Sequence, residues 1–258
     1  MIIQNIIFQK LWYEEASMSK RKSTDDSDQD NVKQRRTSHY FNKNKRFGHD
    51  DYNQPCTQLA TFLLGKVLCR HSSDNVVVRG RIVEVESYPG HSDGASHSYK
   101  GQTQRNRAMF MRPGTSYVYS IYGMYHCLNI SSAEPGAAVL IRALEPVDAV
   151  EAMRDNRVKK RKNGGDIKKD KDLCNGPSKL CQALDIDKDL NCVDLSESDE
   201  VWVEQGDDVG DDQRVNTTRV GIDGAGAEWA RLKLRWYILG NPCVSVRDKQ
   251  AESVLNCT

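Results

Sequence analysis

The chain has 258 residues, with 37 Lys and Arg against 36 Asp and Glu and a formal net charge of +1. That length holds one large domain or two small ones with ample residues for a core, and no apolar run is long enough to span a bilayer. Eight cysteines without a CxxC pair or a zinc-like Cys/His spacing argue against a zinc module and for a reducing compartment.

Residues 1–50 are mostly Ser, Asp, Lys, Arg, Asn and Gln, too polar to offset the entropy of ordering them, and read as a disordered tail. Met1–Trp12 is apolar but short and runs into Glu14-Glu15, which argues against a secretory signal or mitochondrial presequence; Met18 is a second candidate start. Lys20-Arg21-Lys22 and Lys33-Gln34-Arg35-Arg36 flank a polar, acidic spacer in the pattern of a bipartite nuclear-import signal, with a mitochondrial fraction as a secondary location. Residues 51–250 read as one folded domain, followed by a frayed end over 251–258.

Leu59, Phe62, Leu63 and Val67 give a helix over Gln58–Leu68 a buried face, weakened at Gly65 and passing into a strand over Val67–Arg70. Ser72–Asn75 is a turn, and Val76–Val78 and Arg81–Tyr88 are strand material. His91–Lys100 is a loop, and Gln104–Met111 a short helix stopped before Pro113. Tyr117–Asn129 reads as two strands meeting at Tyr122-Gly123, where Gly supplies the positive φ of a tight hairpin. Ala138–Arg142 is a buried strand, and Glu145-Pro146 opens a helix with Val147, Val150 and Met153 along one side. Arg157–Lys171 is a basic loop around Gly164-Gly165, Gly176-Pro177 starts a short helix through Leu184, and Asp207–Asp212 is an acidic surface loop. Val220–Ile222 and Leu232–Leu239 close the chain as strands, and Gly221, Gly224 and Gly226 lack the dinucleotide-binding spacing. Strands dominate and helices come singly, so the fold expected is mixed α/β (α+β): one domain with a curved, largely antiparallel sheet.

The chemistry concentrates in residues 81–129. Alternation puts Glu84, Glu86 and Tyr88 on one face of their strand, ending at Pro89-Gly90, as the floor of a site would. The same pattern also fits an edge strand with one solvated face. Tyr117 and Tyr125 fit cross-strand packing, whereas a Tyr at an exposed hairpin tip can act as a wedge between DNA bases.

The segments RIVEVESY, ASHS, QTQRNRAMFMRPGTSYVYSIYGMY, CLNISS, VLIRALEP, NGPSKLCQAL, RVGID and EWARLKLRWY, spread from about Leu59 to Val246, resemble the vertebrate-type alkyladenine (3-methyladenine) DNA glycosylases. The resemblance implies an enzyme that flips alkylated or deaminated purines out of double-stranded DNA from the minor-groove side. It implies hydrolysis of the N-glycosidic bond as a monomer, with no metal, cofactor or membrane. It selects Glu86 over Glu84 as the general base, leaving Glu84 as a structural group paired with an Arg, and places Arg142 near the target nucleotide and its water. It makes Tyr88, His97 and Tyr119 the walls of the base pocket, Asn129 its filter against guanine, and Tyr122 the intercalating residue. Arg105, Asn106, Arg107 and Lys179 become contacts to the DNA backbone. His126 stands where relatives carry an aromatic residue. Two rival classes remain: a damaged-DNA binding module, which would not need Glu86, and an enzyme on nucleosides or RNA, which would not need a wedge.

Overall fold

The computed structural model describes residues 46–72, 76–161 and 165–255. The import-like clusters, Met18 and most of Ser72–Asn75 therefore lie outside the described residues. The organising element is strand β2, Val77–Tyr88, which joins the two short runs expected separately into one strand of 12 residues. Strand β1 (Val67–His71) pairs with its first half and β8 (Arg235–Ile238) with Glu84–Glu86, while β5 (Ala138–Asp148) runs along its other side. The edge-strand alternative is thereby overturned: both sides of β2 are hydrogen-bonded, and its two acids are wholly buried.

The eight-stranded sheet has the order β3-β4-β5-β2-β1-β6, with β7 (Arg214–Thr217) attached through β8. Strands β3 (Ser116–Ile121) and β4 (Tyr125–Ser131) form the hairpin, and β6 (Val201–Glu204) is the far edge. Every pairing is antiparallel, and bulges between Arg79 and Val85 bend β2, curling the sheet. Val85, Val118, Leu128, Ile130, Val139 and Ile141 line the face that packs on the main core.

Helix α1 (His49–Tyr52) is followed by α2 (Cys56–Leu63), which ends just before Gly65. Gly65 has φ +81°, and a Cβ there would collide with the Asp207 carbonyl, so the helix gives way to β1 at a position only Gly can occupy. Phe47 is buried and its N–H donates to Val203 O at 2.9 Å, so the fold begins before residue 51.

Five expectations are corrected. Glu145 and Pro146 do not open a helix: they extend β5, where Pro146 faces Gly80 beside a bulge, a place where a missing N–H is tolerated. Helix α3 starts at Val150, after Ala149 in the left-handed region, and runs to Lys159, taking Arg157 out of the basic loop. Val220–Ile222 forms a turn rather than a strand, and Gln104–Met111 shrinks to a single helical turn over Arg107–Phe110. Beyond α4 (Pro177–Ala183) and α5 (Ala227–Ala230), the end expected to fray instead carries α6 (Lys249–Leu255). Tyr237 donates its hydroxyl to Glu252 at 3.0 Å, fixing that helix to β8.

Candidate active site

Directly paired residues of an antiparallel ladder share a face, as do alternate residues along a strand. The registers Tyr117↔Asn129, Asn129↔Leu140 and Leu140↔Glu86 therefore stand four side chains in a row on the face away from the main core. Tyr119, Ala138 and Tyr88 continue that row along their strands. Glu86 and Asn129 flank Leu140 from either side, roughly 10 Å apart at two strand spacings. The sheet thus gathers five of the expected site residues, Glu86, Tyr88, Tyr119, Asn129 and Arg142, and the loop after β2 adds His97.

Glu86 is fully buried and held by three elements. Its Oε1 accepts the Val220 N–H at 2.8 Å and lies 3.2 Å from Arg142 Nη1 of β5. Its Oε2 accepts the Tyr88 hydroxyl at 2.7 Å. Burial pulls the Arg142 pKa down, but Glu86 and then Glu84 pull it further up, so the net shift is upward. Burial, reinforced by the Glu86 charge, pushes the Tyr88 hydroxyl well above its ordinary pKa, so Tyr88 stays a donor. Arg219 sits 4.7 Å over the Tyr88 ring and is itself locked by both oxygens of buried Asp93.

The aromatic residues of the candidate site come from the hairpin and the loop. His97 lies 4.7 Å from Tyr119, ring to ring at 74°, and its Nδ1 shares a 2.9 Å hydrogen bond with the Tyr117 hydroxyl. His97 keeps an open edge to solvent. Burial of the rest of its ring, then the charge of Arg105, lower its pKa, which favours the neutral ring. Asn129 is buried and donates from Nδ2 to Tyr117 O at 3.0 Å, so its amide is fixed against the pocket floor.

At the hairpin tip, Tyr122 (φ 53°) and Gly123 (φ 72°) both lie in the left-handed region. Such mirror-image turns match the twist of hairpin strands, but a tyrosine there is strained by about 1–3 kcal/mol. Tyr122 and Met124 are about half exposed, at 49% and 48%. His126, paired with Ser120, faces the back of the hairpin. A cavity of about 340 Å³ opens there between Met124 and His126 on one side and Lys160 and Asp187 on the other. Burial lowers the His126 pKa, with Asp187 opposing.

The four expected backbone contacts separate. Arg105 and Arg107 are exposed. Lys179 is half-buried on α4 and donates to Asn175 Oδ1 at 3.1 Å. Asn106 is 2% exposed. Its Nδ2 donates to the carbonyls of His97 and Gly101 at 2.9 and 3.1 Å, and its Oδ1 accepts from Thr103 N–H at 2.6 Å. The Asn106 side chain thus braces the His97 loop. Sequence reading missed Asp93, Arg219, Val220 and Arg235, whose partners lie more than a hundred residues away. The available signals were RVGID and EWARLKLRWY, segments of the resemblance left without a role, which hold Arg219, Val220 and Arg235.

A family model described as methylpurine-DNA glycosylase matches residues 50–242. The chain is 51% identical over 213 residues to the DNA-3-methyladenine glycosylase of Mus musculus, covering 81% of this chain and 64% of that protein. It is 50% identical over 220 residues to the DNA-3-methyladenine glycosylase of Homo sapiens, covering 83% and 74%. It is 48% identical over 197 residues to a probable DNA-3-methyladenine glycosylase of Encephalitozoon cuniculi, covering 76% and 90%. The match to the mouse protein thus spans less than two thirds of its length. The bent sheet, its buried acid and this sequence similarity agree, and the chain belongs to the methylpurine-DNA glycosylase family.

Proposed function

We propose that this chain is a monofunctional DNA glycosylase of base-excision repair. It flips an alkylated or deaminated purine, of the 3-methyladenine, 7-methylguanine, hypoxanthine or ethenoadenine kind, out of double-stranded DNA. It then hydrolyses the N-glycosidic bond and leaves an abasic site. It works from the minor-groove side, as a monomer, in the nucleus.

The setting of Glu86 carries this reading. A carboxylate oxygen has two acceptor positions. Oε1 is occupied by Val220 N–H and Arg142, whereas among the described residues Oε2 holds only the Tyr88 hydroxyl. Oε2 is therefore the atom that takes a proton from the attacking water, and the ionised carboxylate offsets charge on the oxocarbenium-like sugar as the base departs. Oε2 keeps its second acceptor position for that water beside the Tyr88 hydroxyl. Tyr88, His97 and Tyr119 offer flat faces to an electron-poor purine, and Tyr122 fills the stack that the base has left. The side-chain partners of Glu86 are an arginine and a tyrosine rather than a lysine, which supports hydrolysis over Schiff-base strand cleavage.

The test is single-turnover excision from duplexes carrying hypoxanthine, ethenoadenine or 7-methylguanine, with wild type and Glu86→Gln. Wild type is expected to give alkali-labile sites without cutting the strand itself. Tight binding of the damaged duplexes without base release would instead assign a binding module, and activity confined to free nucleosides would remove DNA as the substrate.

A further inference from the structure

Glu84 is as deeply buried as Glu86, but the proposed chemistry does not use it. Its surroundings are more elaborate than a structural ion pair requires. Glu84 Oε1 accepts from Arg142 Nε at 3.2 Å and from Arg235 Nη1 at 2.7 Å. Its Oε2 accepts the Ser245 N–H at 2.7 Å, and the Ser245 hydroxyl lies 3.3 Å from Arg142 Nη2. Arg142 is thus gripped at Nε and Nη2 by Glu84 and Ser245, which leaves Nη1 aimed at Glu86. Arg235 is 3% exposed, and its Nε donates to the Thr218 carbonyl at 2.7 Å. Thr218 begins the turn whose Val220 N–H holds Glu86 and whose Arg219 lies over Tyr88. Both donors to Glu86 Oε1 are therefore traced to one carboxylate.

We propose that Glu84 is a positioning residue for the glycosylase reaction. Through Arg142 directly and through Arg235 to the Thr218–Val220 turn, it fixes the two donors that orient Glu86, so that Oε2 rather than Oε1 faces the attacking water. This rests on Glu86 being the general base. A simple core ion pair would need one arginine on Glu84; here two arginines and a backbone N–H converge on it, and each leads to a group that touches Glu86 or the turn beside it.

The groups facing Glu86 are Glu84 and Tyr88 on β2, Arg142 on β5, Cys127 on β4, Arg219 on the turn after β7 and Arg235 on β8. Removing the Glu84 charge leaves the two arginines facing Glu86 as the nearest anion. The two donors then lose the grip that aligns Glu86 Oε2 with the attacking water. Loss of alignment slows the chemical step at the plateau, since small misplacements of a reacting group cost on the order of tenfold to a hundredfold.

The experiment is single-turnover excision of hypoxanthine from a duplex, from pH 5 to 9, with wild type, Glu84→Gln and Glu86→Gln, alongside affinity for the damaged duplex. Glu84→Gln is expected to slow excision about tenfold or more at every pH, with affinity for the damaged duplex unchanged. A plateau rate within twofold of wild type overturns the proposal, provided Glu86→Gln is inactive. An active Glu86→Gln would overturn the assignment of the base itself. If Glu84→Gln fails to fold because two buried arginines lose their partner, Glu84→Met combined with Arg235→Met restores charge balance. A slow, folded double variant with wild-type affinity supports the positioning role, and a wild-type rate overturns it.

Discussion

Glu86 and Tyr122 sit on neighbouring parts of one sheet but in opposite physical settings. Glu86 is without solvent exposure; hydrogen bonds reach it from β2 and the turn after β7, and an ion pair from β5. Tyr122 stands half exposed on a two-stranded tip in the left-handed region. A buried carboxylate must be held by donors or it becomes neutral, so the acid is fixed by the fold before substrate arrives. A half-exposed tyrosine in the left-handed region lies outside the buried core, and such strain persists where a function selects it. Under the proposed function the contrast separates the tasks: the core side of the sheet prepares the chemistry, and the tip deals with the duplex.

The first way to break this comparison is Glu86→Gln. Glutamine keeps the shape but cannot accept the proton, and loss of a general base costs on the order of a hundredfold or more in single-turnover excision. Binding of damaged duplex should survive. A rate within a few-fold of wild type would return Glu86 to the status of a structural acid.

Tyr122→Ser probes the other side. Flipping costs a few kcal/mol of stacking and pairing, part of which the wedge offsets, so affinity and the flipped fraction should fall by roughly tenfold. Thermal stability should hardly change, because a half-exposed side chain at a tip carries little packing energy. A large drop in melting temperature would move Tyr122 to the core-forming tyrosines, beside Tyr117.

Much of this division was legible in the sequence because it rests on local rules. Alternation placed Glu84, Glu86 and Tyr88 on one face, and Gly123 marked the turn. What stayed hidden was set by distant partners. Arg219 meets Asp93 across 126 residues and Arg235 meets Glu84 across 151, spacings that leave no periodic trace. Pro146 misled for a related reason: Glu-Pro is a sound helix-start signal, but at a bulge opposite Gly80 the strand tolerates it. Asn106 looked like a surface polar group because sequence does not show which amides are enclosed by their own loop.

Asn129→Ser tests selectivity, a smaller effect. Flat aromatic walls stack any purine, so stacking alone cannot spare guanine. Guanine differs from hypoxanthine by an amino group on its minor-groove edge, and an amide fixed by its bond to Tyr117 O can oppose that group. Serine is shorter and loses that reach. The hypoxanthine-to-guanine rate ratio, measured with guanine in a mismatch to ease flipping, should narrow several-fold, within the roughly 1–3 kcal/mol that one misplaced polar contact costs. An equal fall in both rates would mean that Asn129 only supports the pocket's shape.

The finest test is Tyr88→Phe, which acts at the boundary between prepared acid and entering nucleotide. The ring remains, so its face for the purine and for Arg219, 4.7 Å away, is kept. Only the hydroxyl donated to Glu86 Oε2 is lost. Losing it removes one of the groups that orient Glu86, and a single hydrogen bond is worth about 1 kcal/mol or less once water replaces part of it, so the single-turnover rate should fall about twofold to fivefold with affinity for the damaged duplex near wild type. That result would mean that the hydroxyl still touches Glu86 once DNA is bound and helps to aim Oε2 at the water. An unchanged rate would mean that the hydroxyl leaves Oε2 as the nucleotide enters, so that the base is unmasked by its own substrate.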